Sequence, residues 1–299
     1  MAKYPHIPEK LYKYRDFSNP FHRKGLERDE QWFSSPNKFN DPLDTVASFR
    51  TERLPQQRQT LEEILAQIEE IKQTQAAGQK WVPPEITDPM SWDEMQKQIV
   101  APLIDQLPEE QRKPMREFTK SWNSKVNNDL VNSMSAFFRS GFSVLSLSAN
   151  PTSTLMWSHY AASHTGFCIE YDFGALPYTD LRNRMCFPVF YRNKRTDVSR
   201  YLAVRPRRRF NNLIGTYLSL IKSRDWEYEK EWRLVHPIGP DDANRAYPMP
   251  PPSALIVGAS VSDGDLEYAQ DFCAKRGIPL RQAQLSSHDT AISITDIPY

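Results

Sequence analysis

Acidic side chains alternate along the segment EYEKEWR. Glu227, Glu229 and Glu231 occupy every second position, and Arg233 follows two residues later. If a strand begins early enough, all four side chains share one face, because neighbouring strand residues point to opposite faces. Three adjacent carboxylates repel one another unless a cation, a sugar hydroxyl or basic side chains meet them. The segment is therefore either a catalytic or binding site or a solvated edge strand with a Glu231–Arg233 ion pair.

The segment MWSHYAASH carries two histidines on a predicted helix. His159 and His164 lie roughly 140° apart around a helix of 3.6 residues per turn, which is poor geometry for one zinc ion. Adding Cys168 gives a spacing that matches no common metal site, so we expect no metal. Tyr160 and His164, at i and i+4, share a helix face. The segment is either a ligand-facing group or the aromatic core of a helix.

Several sequence signatures of nucleotide binding and of hydrolytic enzymes are absent. With ten glycines in 299 residues, the sequence has no G-x-G-x-x-G, G-x-x-x-x-G-K or G-x-S-x-G motif. No Asp/Glu-x-Lys step lies near the acidic segment, which weakens a restriction-type nuclease. A basic run is either a solvated loop or a phosphate-binding patch through which nucleic acid could bind. It consists of Arg205, Arg207, Arg208 and Arg209.

Apolar patterns predict the elements that position these residues. Period-two patterns predict strands at 11–15, 143–149, 166–172, 231–235 and 253–258 in one sheet system. Helical spacing predicts three helices within an insertion at 51–138, and a helix from about Ser262 to Arg276 completes a βαβ unit. In FNDPLD, a turn is predicted from Asn40, Asp41 and Pro42. The fold class is α+β, with a mixed sheet core in a single domain over 1–299.

Composition favours a folded protein of a reducing compartment. Apolar residues make up 39% and aromatic residues 12% of the chain, which supports a filled core. A net charge of +1 provides no global field toward nucleic acid or an anionic membrane. Three widely spaced cysteines suit reduced thiols. The N-terminus lacks an apolar signal region, and no stretch approaches the ~18 apolar residues of a spanning helix, so we expect a cytoplasmic protein without membrane contact.

Five motifs carry a family resemblance. In chain order they are KLYKYRDF, WFSSPNKFNDPLD, LSLSANPTSTLMWSHYAASHTGFCIEYD, WEYEKEWR and SALIVGA. Together they resemble the bacterial and phage family called domain of unknown function 2971. The motifs cover both ends of the chain but not 51–138. Since that family has no assigned function, the resemblance implies a shared fold and leaves the activity open.

The order of the elements also resembles ADP-ribosyltransferases. In both, an early strand carries an Arg, a middle strand bears serines before an aromatic-rich helix, and a late strand opens with a Glu. Those enzymes bind NAD without a Rossmann glycine loop, and their sheet is split. The resemblance implies that Arg15 holds the cofactor and Tyr160 stacks on nicotinamide. It also implies that Glu231 is the catalytic carboxylate, with Glu229 as the upstream Glu of an E-x-E pair.

Further candidates complete the implied site. His159 joins the two glutamates as a catalytic candidate. One departure from the ADP-ribosyltransferase pattern is that the middle strand lacks the usual Ser-Thr-Ser, and another is that the insertion stretches the spacing. The remaining cofactor-binding candidates are Tyr14, Asn40, Ser148, Trp157 and His164.

The implied activity is ADP-ribosyl transfer from NAD, or NAD glycohydrolysis, in a toxin, defence factor or effector. Nicotinamide leaves, a carboxylate stabilises the ribosyl cation, and Arg15 neutralises the pyrophosphate. We therefore expect Arg15, Tyr160 and Glu231 to converge within roughly 12 Å, the contact range of one ligand. One alternative is a nucleotide- or protein-binding module without catalysis. Another is a metal-dependent nuclease that uses Glu170, Asp172 and Glu231.

Overall fold

The chain divides into two compact units in a computed structural model. Unit 1 comprises Met1–Val46, Ala136–Lys194 and Gly215–Tyr299, and unit 2 comprises Ala47–Ser135 and Arg195–Ile214. The single-domain organisation stays a prediction. The structure describes residues 7–48, 55–57, 89–91, 96–198, 213–237, 244–286 and 291–298, together with 66, 70, 73–74, 77, 94 and 288.

Sixteen strands lie within the described residues. They are β1 (Lys10–Arg15), β2 (Glu30–Phe33), β3 (Ala47–Ser48), β4 (Pro55–Gln57), β5 (Pro89–Ser91), β6 (Phe142–Ser148), β7 (Phe167–Asp172), β8 (Cys186–Pro188), β9 (Phe190–Tyr191), β10 (Thr196–Asp197), β11 (Ile221–Lys222), β12 (Glu231–Pro237), β13 (Arg245–Pro248), β14 (Ala254–Val257), β15 (Leu280–Leu285) and β16 (Ile292–Asp296).

Seven α-helices are described beside these strands. They are α1 (Pro20–Glu27), α2 (Ala101–Asp105), α3 (Glu109–Ser140), α4 (Thr154–Tyr160), α5 (Leu181–Met185), α6 (Leu213–Leu218) and α7 (Asp263–Arg276). A π-helical segment spans Gln96–Val100, and 3-10 turns span Pro36–Lys38 and Arg224–Glu229.

Eight strands of unit 1 form one mixed sheet. Its order is β16-β15-β14-β7-β1-β6-β12-β8, and all five strands predicted from period-two patterns lie in it. Neighbours are antiparallel except β14 and β15. Helix α7 connects that parallel pair, as a crossover must. The predicted βαβ unit is therefore confirmed, with Ser262 as N-cap and a left-handed Gly277 as C-cap.

The central strands present two distinct faces. On one face, Leu11, Leu145 and Leu147 pack in a large apolar core with residues of α1, β2 and α7. On the other face, Tyr14 packs with Trp157 of α4. Strand register aligns one row of polar residues across this second face, because directly opposed residues point the same way. The row is Glu170, Tyr12, Ser148 and Glu231.

Unit 2 holds the described part of the predicted insertion. Of the helix expected around residues 61–71, residues 66 and 70 are described and are helical, and the rest lies outside the described residues. The second expected helix corresponds to the π-helical segment and α2, and the third lies within α3. The β4–β5 pair was not predicted. Its strands are only three residues each, too short for a period-two pattern to stand out.

Candidate functional site

Arg233 is the centre of a buried ionic cluster on the second face of the sheet. Its side chain is 1% exposed. Both terminal nitrogens donate to the carboxylate of Asp44, Nη1 to Oδ1 at 2.8 Å and Nη2 to Oδ2 at 2.6 Å. Nε donates to Glu231 Oε1 at 2.8 Å, and Nη1 also donates to the Ser219 carbonyl at 2.6 Å. The planar guanidinium is thus bound in the forked geometry that suits arginine.

Lys222 joins two glutamates of this cluster. Its Nζ donates to Glu229 Oε2 at 2.5 Å and to Glu231 Oε2 at 3.0 Å. All three side chains are buried. The cluster therefore contains three carboxylates, those of Asp44, Glu229 and Glu231, but only two cations, those of Lys222 and Arg233. If every group is ionised, one negative charge is left over.

The pKa values of the two glutamates are shifted in opposite directions. Burial alone would raise the pKa of Glu231, but Arg233 and Lys222 outweigh it and hold the pKa well below its usual range. For Glu229, burial and repulsion from Glu231 raise the pKa, against the attraction of Lys222. Glu231 is therefore the firmly ionised partner of the cations. Glu229 is the carboxyl group on which a proton, or a positive charge from outside, is most readily accommodated.

The other oxygen of Glu229 faces an aromatic residue. The Tyr160 hydroxyl donates to Glu229 Oε1 at 2.8 Å. Asn40 hydrogen bonds to the same hydroxyl, and burial followed by the Glu229 charge raises the pKa of Tyr160. Asn40 is exposed and Tyr160 is half-buried. The chain from Asn40 through Tyr160 to Glu229 therefore connects the buried cluster to the surface.

Two local structures place the acidic groups. The strand of EYEKEWR begins at Glu231, as the predicted strand at 231–235 does, so the condition for all the carboxylates to share one strand face is not met. Glu229 ends a 3-10 turn that is capped by Ser223, and Lys230 reverses the chain in a left-handed conformation with φ 44°. Glu227 is consequently exposed. Glu229 and Glu231 meet through Lys222 instead of through strand alternation.

The predicted FNDPLD turn presents Asp44. Asp41 Oδ1 accepts from the Leu43 amide at 2.8 Å, and the Asp44 amide donates to the Asp41 carbonyl at 3.1 Å. Thr45 follows with φ 60°, and its hydroxyl donates to Asp44 Oδ1 at 2.9 Å. These bonds orient the carboxylate toward Arg233, which confirms the turn and adds a role for its last residue.

Three predicted cofactor contacts pack beside the cluster and are engaged within the protein. Trp157 is fully buried, and its Nε1 donates to the Pro151 carbonyl at 2.8 Å. The Tyr14 hydroxyl donates to the Asn150 carbonyl at 2.7 Å. Ser148 donates to the Glu229 carbonyl at 2.6 Å. Trp157, Tyr14 and Ser148 therefore support the site from behind, and a stacking role on a ligand is closed to Trp157 as it stands.

The histidines lie outside the cluster contacts. His159 is exposed, with its ring 6.3 Å from that of Tyr160. The predicted helix ends at Tyr160, and Ala162, Ser163 and His164 all have positive φ, so Tyr160 and His164 do not share a helix face. The His164 ring stacks 6.4 Å from Trp157 instead. No group of three His, Cys, Asp or Glu side chains suited to a metal occurs among the described residues.

Arg15 does not converge with Tyr160 and Glu231, contrary to the expectation from the layout. It follows Tyr14 on β1, so its side chain points to the opposite face of the sheet from that of Glu231. There its Nε and Nη2 donate to Gln31 Oε1 at 3.0 and 2.6 Å. The basic residues of the run at 205–209 lie outside the described part of the chain.

Sequence patterns missed two members of the cluster. Lys222 follows an apolar helix without any periodic signal, and Asp44 lies 189 residues before its partner Arg233. For Asp44 a signal existed, because it is the last acidic residue of a turn motif that had been singled out. For Lys222 the surrounding sequence offers none.

Among the described residues, none of the helices combines the length and apolar composition that crossing a bilayer requires. Fold and site together define an α+β protein with a mixed eight-stranded sheet and a buried ionic cluster on one face. Residues 156–234 match the family described as protein of unknown function (DUF2971), which confirms that resemblance. The matched segment contains Tyr160, Lys222, Glu229, Glu231 and Arg233. Comparisons with curated proteins and with solved structures gave no match.

Proposed function

We propose that the chain is an ADP-ribosyltransferase-like enzyme or NAD glycohydrolase in which Glu229, not Glu231, meets the substrate. One observation carries the proposal: the buried cluster has one carboxylate more than it has cations, and Glu229 is the carboxyl group that Tyr160 links to the exposed Asn40. An unbalanced carboxylate held by fixed partners stabilises a positive charge that develops beside it. A ribosyl cation is such a charge.

The arrangement of strands supports this reading. The strands that carry Arg15, Ser148 and Glu231 are β1, β6 and β12, and they are neighbours at the centre of the sheet. The ladder between β1 and β6 is confined to Tyr12 and Ser148. Lys13 Nζ donates to the Ser146 carbonyl at 2.6 Å where the ladder would otherwise continue. A sheet that parts between these two strands is what the ADP-ribosyltransferase resemblance implies.

The proposed reaction balances with the groups present. The bond between ribose C1′ and the nicotinamide nitrogen breaks, and its electron pair leaves with nicotinamide. The oxocarbenium ion is stabilised by the Glu229 carboxylate and attacked by water or an acceptor hydroxyl, whose proton passes to Glu229. A carboxyl group with a raised pKa suits that proton transfer near neutral pH. Glu231, with both oxygens engaged, acts as a positioning residue through Lys222.

The experiment is incubation of the purified chain with NAD while nicotinamide release is measured. We expect Glu229→Gln to lower the rate on the order of a hundredfold or more. Glu227→Gln is the matched control, because Glu227 is exposed and lies in the same turn. Equal rates for the two variants would contradict the proposal of an enzyme. So would the absence of nicotinamide release by the unmodified chain with every acceptor tried.

A second candidate is a nucleotide- or protein-binding module without catalysis. It is favoured by the fact that Glu229 already has two partners, Lys222 and Tyr160, as a structural group would. Its signature is saturable binding of NAD or ADP-ribose with no release of nicotinamide over the same period. In that case Glu229→Gln changes the affinity for NAD or ADP-ribose, and neither protein releases nicotinamide.

A further inference from the structure

The eight-stranded sheet ends in two edge strands of different kinds. One edge is β8, which has three residues and ends at Pro188. Short length and a proline, which has no backbone N–H to donate, are usual protections of a sheet edge. The other edge is β16, which has five residues, contains no proline or lysine and carries its one charged residue, Asp296, at its end. Of the two edges, β16 is therefore the one on which a further strand can pair.

The hydrogen bonds of β16 identify its open side. Just beyond the ladder with β15, the Ile297 amide donates to the Leu280 carbonyl at 3.0 Å. Because bonded and non-bonded pairs alternate along an antiparallel ladder, the register makes Thr295 and Ser293 the residues of β16 that bond to β15. The residues between them direct their N–H and C=O groups away from β15, and these groups have no partner among the described residues. These residues are Ile292, Ile294 and Asp296.

The side chains of β16 suit pairing with a second β16. An antiparallel pairing centred on Ile294 sets Ile294 opposite the partner's Ile294, and Ile292 opposite the partner's Asp296. This register uses every outward-facing backbone group, whereas a shift by two residues leaves Ile292 or Asp296 of both copies unpaired. It opposes no like charges. It also places two isoleucines side by side next to the apolar cluster of Trp157, against which Ile292 and Ile294 pack.

The other face of β16 provides a second, independent argument. In the same register Ser293 lies opposite the partner's Thr295, in a non-hydrogen-bonded pair, where side chains approach most closely. Ser293 is exposed, and Thr295 Oγ1 is enclosed without a hydrogen-bond partner among the described residues. An enclosed hydroxyl without a partner costs free energy, and opposed serine and threonine side chains bond favourably across strands. The pairing thus supplies a partner for the Thr295 hydroxyl.

We propose that β16 is a dimerisation strand, which pairs antiparallel with β16 of a second copy about a two-fold axis at Ile294. The sheets of the two copies then form one continuous sheet. Because Pro188 protects the opposite edge, each copy offers one strand, and association ends at two copies instead of forming a fibre. One five-residue strand makes a smaller interface than permanent dimers have, so we expect a dissociation constant on the order of 10 μM.

Sedimentation equilibrium of the full chain tests the association. We expect the mass to rise from one copy toward two between about 1 and 500 μM protein. Ser293→Lys/Thr295→Lys opposes lysines of the two copies and should weaken association about tenfold. Ser293→Lys/Thr295→Glu is the matched control, because it opposes lysine to glutamate and should retain the dimer. Circular dichroism shows whether each variant is folded.

Amide hydrogen exchange of the unmodified chain locates the interface without any substitution. The amides of Ile292, Ile294 and Asp296 gain acceptors only in the proposed dimer, so their exchange should slow about fivefold or more between the lowest and highest protein concentrations. The amides of Ser293 and Thr295 bond to β15 in either state. Their exchange should therefore not depend on concentration, which makes them an internal control.

Three results would overturn the proposal. The first is a mass of one copy at every concentration, which would leave the open edge to a strand of another protein. The second is a dimer in which the outward-facing amides of β16 exchange as fast as in the monomer, since its interface would lie elsewhere. The third is growth beyond two copies. Neither measurement involves NAD, so the outcome is independent of the proposed enzyme.

Discussion

Buried charged side chains have different kinds of partner on the two faces of the central strands. On the face of β12, Arg233 contacts two carboxylates and a carbonyl, and Lys222 bridges two glutamates. On the opposite face of β1, the hydrogen bonds of Lys13 and Arg15 within the described part of the chain go to neutral oxygens. The cost of removing a charge from water is offset on the first face by ion pairs, and on the second it is left largely uncompensated.

The sharpest test of this contrast removes one cation from each face. Arg233→Met leaves Asp44 and Glu231 buried without their main partner, and we expect it to cost about 3–5 kcal/mol of unfolding free energy. Lys13→Met removes a charge that forms no ion pair among the described residues, and we expect a change of at most about 1 kcal/mol, or a gain. Urea denaturation measures both.

The control for these variants is Arg224→Met, because Arg224 is exposed on the turn beside the cluster. Its effect should stay within about 0.5 kcal/mol. Equal costs for Arg233→Met and Lys13→Met would mean that the two faces do not differ, and the contrast would be lost.

Within the cluster, the two glutamates should separate stability from activity. Glu231→Gln removes an acceptor from both Arg233 and Lys222, and we expect a loss of about 2 kcal/mol, as for hydrogen bonds to charged groups. Glu229→Gln leaves two carboxylates against two cations and should cost less than about 1 kcal/mol. If the chain is the proposed enzyme, Glu229→Gln should lower the rate of nicotinamide release more than Glu231→Gln does. If Glu231→Gln left stability unchanged, its role as a positioning residue would be untenable.

The pH dependence of stability should also differ between the glutamates. The pKa of Glu231 is depressed in the folded state, so its contribution is present above about pH 4.3, the unfolded value, and is lost as pH falls through the folded value. The pKa of Glu229 is raised, so its contribution is present below about pH 4.3 and is lost as pH rises through the folded value. Unfolding free energies measured across pH should show opposite slope changes in the two Gln variants. Parallel curves for all three proteins would contradict the assignment.

Local sequence predicts the frame of this molecule better than its site. The strands carrying Tyr12, Ser148 and Glu231 follow period-two patterns, and Ser262 and Gly277 bound α7 as capping chemistry requires. The site depends on contacts that no local pattern contains, such as the pairing of Asp44 with Arg233. A single left-handed residue, Lys230, is enough to take Glu229 off the strand on which alternation would place it.

Burial and sheet register together decide where the aromatic and basic candidates lie. Trp157 was a cofactor-binding candidate, yet its indole is enclosed and bonded to Pro151. Arg15 was placed with Glu231 because the ADP-ribosyltransferase resemblance implies it, but the face that a strand residue occupies depends on register with its neighbours. That register follows from tertiary pairing, which the β1 sequence alone does not specify.

The smallest expected effect concerns the hydroxyl that connects the cluster to the surface. Tyr160→Phe removes the bond to Glu229 and should cost about 1 kcal/mol of stability, the usual net value of one hydrogen bond. The Tyr160 hydrogen bond lowers the pKa of Glu229, so its removal should raise that pKa further. In the proposed enzyme, the pH profile of nicotinamide release should therefore shift toward higher pH on its acidic side.

Tyr228→Phe is the matched control for this variant, because Tyr228 is another half-buried tyrosine beside the same apolar cluster. It should leave the profile in place. A pH profile of nicotinamide release that Tyr160→Phe leaves unchanged would show that Glu229 does not titrate in the reaction. The buried cluster would then have a structural role alone. A shift of the acidic side of this profile, with a nearly unchanged melting temperature, would instead indicate that Glu229 takes part in the reaction.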